Sequence, residues 1–538
     1  MIKTVLLNLR LAVPKIVVAL AVVLLGTALA LLPWKWAATL LVAGGFLVVA
    51  LVHPPYALCA LAFSVPFGSI RQWTLGSVNV DLSELLLLLL LSAWLAHKIA
   101  ARRILVPRAP LFLPLLLFLG AISLSILASA SLELSLKELV KWLEVLALYW
   151  FVADQVDERW GQWLVFALLA AGSVEALVGV YQFVRRIGPV GFLLFGRFMR
   201  AYGHFAQPNP FAGYLGLSAP LAYALSLEAL DVWRSGARTL KKAWLWVVPY
   251  GLFVASLGVM VVAMVMSWSR GGWVGLACAF AAITVLRSRK AMSGAVMIGL
   301  IAGYLLMIGG AQYLPPTLVQ RVADFLPYVG GVDVTAVQVT DANWAVLERM
   351  AHWQAALGMF SDHLWLGVGI GNYAAAYPQY AIGRWQDPLG HAHNYYLNVA
   401  AEAGLVGLLA YLVLFVACFV EAWRVIRSLS AAPSGSPAGI LRCPFGPARG
   451  KAQNDKAGAV VHRGFWRAVA LGVMGILAHL SVHNLFDNLY VHDMNIQLAL
   501  ALGLLLVASK ALPRQSGMRS LAISGAREYL DRQDADRH

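Results

Sequence analysis

The chain predicts an all-α polytopic membrane protein of about 12 to 14 transmembrane helices, with one long outer loop that itself contains helices. Three observations carry this. Of 538 residues, 60% are hydrophobic and 12% charged, and the mean hydropathy is +0.73, a balance that excludes an ordinary soluble domain. Apolar runs recur along the whole length. The polar residues gather in short loops and in one long stretch before His393.

In chain order, candidate spans lie near 15–32, 36–52, 56–69, 82–99, 110–128, 135–153, 160–184, 209–227, 243–267, 271–287, 291–312, 394–420, 466–484 and 490–509. Most approach the roughly 20 residues that a bilayer-crossing helix needs. The second and third are short enough to be one broken hairpin. The first lacks a small-residue cleavage pattern and is followed by more spans, so it reads as an anchor rather than a removed signal peptide. The plan is N-terminal spans over 1–312, an outer loop over 313–393, a span over 394–427, a flexible loop over 428–465 rich in Pro, Gly, Ser and Ala, two spans over 466–509 and a tail over 510–538.

The net charge of +15 invites a nucleic-acid reading, but its distribution follows the positive-inside rule instead. Alternate loops hold most of the 41 basic residues, and that side is expected to be the cytoplasm, with both termini in it. Arg185, Arg186, Arg197, Arg200, Arg270, Arg321, Arg349 and Arg384 fall on the opposite face, as do His204, His391, His393, His483 and Asp487. Chemistry is expected there. Four scattered cysteines, Cys59, Cys278, Cys418 and Cys443, have no CxxC spacing and suggest neither a zinc site nor a disulfide frame.

Several clusters could carry chemistry. Ser267-Trp268-Ser269-Arg270-Gly271-Gly272 interrupts a long apolar stretch and sets a planar cation beside exposed amides. That suits an anionic oxygen cluster, or a snorkelling arginine at a tight turn. Residues 347–356 read as an amphipathic helix with Arg349 and Trp353 on one face. Arg200 to Pro210 combines a cation, His204, Gln207, aromatics and two prolines, a set fitted to sugar or to an ordinary helix entry. His391-Ala392-His393-Asn394 has the spacing of a weak metal signal, yet no acidic or cysteine partner stands nearby in sequence. An imidazole there is a natural general base for a hydroxyl, and Asn394 could fix its tautomer or bind sugar. The bland reading is a histidine pair capping a helix.

His479, His483 and Asp487 line one helix face, read as a polar stripe toward the bundle interior, with a metal site or proton path as alternatives. Lys141, Glu144 and Glu402 are expected to pair with one another within the spans. Gly367 to Gly371 reads as a loop. Asp534-Ala535-Asp536 resembles a metal–nucleotide pair but lies in the tail. Neither a phosphate-binding G-x-x-x-x-G-K-[ST] loop nor an H-E-x-x-H motif occurs.

Together, Ser269-Arg270-Gly271-Gly272, Glu348-Arg349 with Trp353, Leu366 to Tyr373, His391 to Leu397 through Glu402 to Gly407, and Tyr202 to Leu215 resemble the O-antigen ligase and polymerase superfamily of bacterial envelope glycosyltransferases. The resemblance implies a multi-span enzyme of the bacterial inner membrane, working on the periplasmic face. Its donor would be an undecaprenyl-diphosphate-linked glycan, a polyprenyl carrier. It would use no cofactor or metal and invert the anomeric centre. On this resemblance His393 is the base, Arg270 and Arg349 clamp the diphosphate, and Arg200, His204, Gln207, His391, Asn394 and Asp487 are further substrate contacts. A ligase acting on lipid A-core is the first reading and a polymerase acting on a second lipid-linked glycan the alternative. Membrane lipids, and no nucleic acid, complete the expected partners. A lipid or glycolipid transporter is the reading from a different class.

Overall fold

The computed structural model describes residues 26–27, 31–70, 72–75, 78–102, 109–234, 244–308, 310–313, 315–323, 332–340, 343–431 and 453–511. Most of the first expected span, Cys443, most of the flexible loop, Arg238, Lys241, Lys242 and the tail with its Asp534-Ala535-Asp536 lie outside the described residues. The described chain is helical, with two short antiparallel ribbons, β1 (Gln72–Leu75) with β2 (Val78–Asp81) and β3 (Leu193–Leu194) with β4 (Phe198–Met199). It is an all-α polytopic membrane protein.

The helices are α1 (Trp34–Val52), α2 (Pro54–Ser64), α3 (Leu82–Ala100), α4 (Phe112–Ser125), α5 (Leu132–Gln155), α6 (Glu158–Arg185), α7 (Pro208–Gly216), α8 (Ala219–Arg234) and α9 (Trp244–Met266). They continue with α10 (Arg270–Arg287), α11 (Arg289–Met307), α12 (Pro316–Ala323), α13 (Trp344–Asp362), α14 (Tyr373–Ala376), α15 (Tyr395–Ala431), α16 (Gln453–His483) and α17 (Met494–Lys510). Among the described residues six stretches are long and apolar enough to cross a membrane: α1, α3, α6, α7 with α8, α15, and residues 462–483 of α16. Several other expected spans hold shorter apolar helical stretches, such as Phe112–Ala128, Gly251–Met266 and Met494–Lys510, and α5 carries several charges. Residues 428–431 and 453–465 of the loop expected to be flexible are helical.

Two units emerge, Met1–Leu58 with Leu85–Ile104, and Cys59–Glu84 with Leu105–His538. In the first, α1 is almost wholly exposed. In the second, α16 is central, packed against α10, α8, α15 and α17, while α5 lies on α17, α4 and α13 on α15, and α9 on α6 and α8. Helix starts follow local chemistry. Ser131 Oγ accepts from the Leu134 amide at 3.4 Å and Asp157 Oδ1 from the Trp160 amide at 2.9 Å, each satisfying an orphan donor of the first turn. In lipid, apolar transfer between helices contributes little, so close packing through small residues decides association. Gly216 of α7 and Gly271 and Gly275 of α10 provide it, because a Cβ at any of them would enter the ring space of His479 or His483 on α16.

The glycine-rich segment before α14 is a tie between helices. Val368 N donates to Ala401 O at 2.9 Å and Leu405 N to Leu364 O at 2.8 Å, so the segment crosses α15 where Gly404 breaks it at φ +63°. Asn372 is fully buried and bonds Ser131 N at 2.7 Å and Ser135 Oγ at 2.8 Å, joining the same segment to the start of α5. Gly404→Ala forces a left-handed alanine whose Cβ meets the Trp365 carbonyl. It is expected to cost at least ~2 kcal/mol, read as a lower unfolding temperature in detergent.

The charges in and near the spans pair differently from expectation. Lys141 binds Glu138 at 2.7 Å, Glu144 accepts from Asn495 Nδ2 at 3.0 Å, and Glu402 accepts from the Tyr373 amide at 2.9 Å. Each group found a partner one turn away or on a neighbouring element, which spacing among the three alone does not reveal.

Candidate active site

The turn between α9 and α10 organises the cations. Trp268 sits at φ +53°, a left-handed conformation that costs a non-glycine residue of order 1 kcal/mol. This turns two successive carbonyls toward arginines. Arg200 Nε donates to Ser267 O at 2.8 Å, and Arg321 Nη2 donates to Trp268 O at 3.3 Å. Ser269 caps α10 through the Gly272 amide at 3.4 Å, which makes Arg270 the first helical residue. Arg200 Nη2 also donates to Asn209 Oδ1 at 3.1 Å. Its acceptors are thus neutral, and burial with the fields of Arg321, Arg349 and Arg270 pushes its guanidinium down to about 9, against the pull of Asp487. Arg349, on α13, has a buried Nε with no hydrogen-bond partner among the described residues. Arginines whose mutual fields are felt at Arg200, two of them held by neutral carbonyl and amide oxygens, fit a multiply charged anion.

The histidines form the second half. His393 is also left-handed, at φ +52°. Its Nδ1 lies 3.3 Å from Asp487 Oδ1, in the turn after α16. That carboxylate, absent from the sequence neighbourhood of the HxH pair, arrives from 94 residues away. His391 Nε2 is 4.0 Å from the same oxygen, and His391 Nδ1 accepts from the His393 amide at 3.1 Å. The amide therefore fixes the His391 tautomer with its proton on Nε2. Burial drives His391 down to about 4, partly countered by Asp487, so it is neutral at physiological pH. Burial raises the Asp487 carboxyl, but the hydrogen bond with His393 and the fields of His393, His391 and Arg349 outweigh it and hold the group below the usual carboxylate range.

His352, buried on α13, was not singled out by the sequence. Its Nδ1 is 2.9 Å from Tyr373 Oη, its ring stacks on Tyr377 at 4.6 Å, and it meets His393 edge to face at 5.8 Å. Burial takes it to about 4. Trp353 Nε1 donates to His393 O at 3.4 Å, so the α13 face expected to carry Arg349 and Trp353 does touch the histidine turn. Helix α13 buries Leu347, Met350, Ala351, Ala355 and Met359 and is not a freely solvated helix.

Asn394 plays another part. Its Oδ1 accepts from the Tyr396 and Leu397 amides at 3.0 and 3.1 Å, capping α15, while Asn398 Oδ1 holds the Ala392 amide at 3.0 Å. Gln207 has an exposed side chain just before α7; Asn209, two residues on, is the amide that meets Arg200. His479 and His483 are buried and 3.2 Å apart, Nε2 to Nδ1, a polar stripe inside the bundle, but α16 ends at His483 and Asp487 stands in the turn beyond rather than on the helix face expected for it.

His204 is anchored from below by α6. Glu175, fully buried, takes its Nδ1 at 2.8 Å and its amide at 2.6 Å, and Gln182 receives the Gly203 amide at 2.7 Å. These two α6 residues were legible only as polar positions in a span. The bond to Glu175 raises the His204 imidazole above its ordinary 6.5. A raised folded value means stability that is full below about 6.5 and is lost as pH climbs through the folded value. His204→Gln is expected to flatten the fall in melting temperature above neutral pH.

Residues 255–412 match the family described as O-antigen ligase. That segment is similar to the O-antigen ligase family. The match supports the O-antigen ligase and polymerase family, whose enzymes are of glycosyltransferase type. It takes in Arg270, Arg321, Arg349, His391, His393 and Asn394, while Arg200, His204, Gln207 and Asp487 lie outside it. Among curated proteins, none matches the chain.

Proposed function

We propose that this protein moves a glycan from an undecaprenyl-diphosphate carrier to an acceptor hydroxyl, at the periplasmic face of a bacterial inner membrane with both termini cytoplasmic. The observation that carries this reading is His393 hydrogen-bonded to Asp487 beside four arginines. With Nδ1–H directed at Asp487, His393 keeps the Nε2 lone pair for the acceptor proton. The acceptor oxygen attacks the anomeric carbon from the side opposite the diphosphate, the carbon–oxygen bond to the carrier breaks, and its electron pair leaves with the lipid diphosphate. Arg200, Arg270, Arg321 and Arg349 stabilise that developing charge. His391 has no lone pair to offer, since Nδ1 is occupied and Nε2 protonated, which favours His393 as the base.

Lipid A-core is the acceptor we favour, and a second lipid-linked glycan is the polymerase alternative. One observation supports a second, metal-assisted reading. The ligand atoms of His391, His393 and Asp487 lie within 4.8 Å of one another. The His391 tautomer weighs against it, because Nε2 would have to shed its proton and the His393 amide bond would have to break or leave an imidazolate. Purified protein in nanodiscs, given the lipid-linked glycan, candidate acceptors and EDTA, tests both. Transfer undiminished by EDTA is expected, with the consumed acceptor naming the reaction. Transfer lost in EDTA and restored by a divalent cation supports the metal reading. Carrier moved across vesicles with no transfer product overturns the transferase.

A further inference from the structure

The outer face of the α13 region carries an aromatic and cationic group that the proposed chemistry does not use. Trp344, at the start of α13, remains 40% exposed. The Arg384 guanidinium lies 5.0 Å from its ring centre and 6.0 Å from that of Trp385, and the two indoles meet edge to face at 4.7 Å. The group is rigidly supported. Trp385 is buried against Val334, Leu347 and Met350, its carbonyl accepts from Tyr377 Oη at 2.8 Å, and Tyr377 stacks on His352, the neighbour of His393. From Arg384 the chain runs through exposed Gln386, Asp387 and Leu389 to His391, so a short exposed segment connects the indole to the histidines.

We propose that Trp344 and Arg384 form a platform for a sugar residue distal to the reacting one, an inference that rests on the transferase reading above. The exposed indole offers an apolar face to the C–H side of a pyranose ring, and the stacked guanidinium offers planar donors to hydroxyl or acidic substituents. Indole and guanidinium hold each other in place by cation–π attraction, so little freedom is lost on binding. Eight residues of helix separate Trp344 from His352, a rise of roughly 12 Å, which places the platform beyond the first sugar. The sugar belongs either to the donor glycan or to the acceptor.

The test compares wild type, Trp344→Ala, Trp344→Phe and Arg384→Ala in nanodiscs. Each receives a carrier bearing one sugar and a carrier bearing a multi-sugar glycan, and short and extended acceptors in parallel. Loss of the stacking face is expected to raise KM about tenfold for the extended substrate only, with kcat retained and with Trp344→Phe near wild type. The substrate whose length governs the effect, donor or acceptor, identifies the sugar. Equal loss on short and extended substrates, or none on either, overturns the platform while leaving the transferase intact. An effect that appears in nanodiscs but vanishes in detergent, whatever the substrate length, overturns it in favour of contact with the membrane surface. Wild type inactive on every substrate overturns both readings.

Discussion

His393→Ala is expected to lower kcat by about 10²–10⁴-fold with little change in donor KM, the span typical of losing a positioned general base. Asp487→Asn is the informative companion. It preserves shape and an acceptor for the imidazole but removes the charge that stabilises the imidazolium formed during transfer. A loss approaching that of His393→Ala, with the double variant scarcely worse than either alone, would show the two acting as a unit. His391→Ala should fall less, because its Nε2–H reaches Asp487 only at 4.0 Å and its Nδ1 serves the His393 amide. If His391→Ala were dead and His393→Ala active, the assignment of the base would be wrong. Initial rates at saturating donor decide this.

Arg349→Lys should lower kcat/KM by about 10²-fold or more, within the range for removing one preorganised donor at developing charge. A lysine keeps the charge but loses the planar fork, and the buried Nε of Arg349 has no hydrogen-bond partner among the described residues. The loss should therefore appear in catalysis rather than in folding. Arg349→Ala should be worse on transfer and near neutral in melting temperature. A large drop in melting temperature with kcat/KM unchanged would instead make Arg349 a structural group.

Much of this arrangement is legible in residue order, and the illegible parts share a cause. Apolar runs mark the helices because lipid demands internally satisfied backbone, and the Ser-Trp-Ser-Arg-Gly-Gly break marks the turn holding Arg270. What order does not show is pairing across distance. Asp487 meets His393 only when the turn after α16 comes beside the start of α15, where the Tyr395 amide bonds Asn484 O at 2.8 Å. Glu175 under His204 is likewise invisible, since a lone acid in an apolar helix names no partner. Asn394 is different. An asparagine directly before a helix is the ordinary cap signal, and its cap of α15 is legible from its position alone. The helices α7 and α8, separated by the turn at residues 217–218, read as one apolar run, and together they make one stretch long enough to cross a membrane.

The domain boundary and the working unit do not coincide. The matched segment ends at residue 412, yet Asp487, which meets His393, and Arg200, which shares a turn with Arg321, lie outside it. A fragment cut to the matched borders would keep His393, Arg270, Arg321 and Arg349 but lose Asp487 and Arg200. Expressed as two pieces divided within 432–452, the halves would have to reassemble in the bilayer before either could act. Such modularity makes fragment complementation an assay for assembly itself, with activity as its readout.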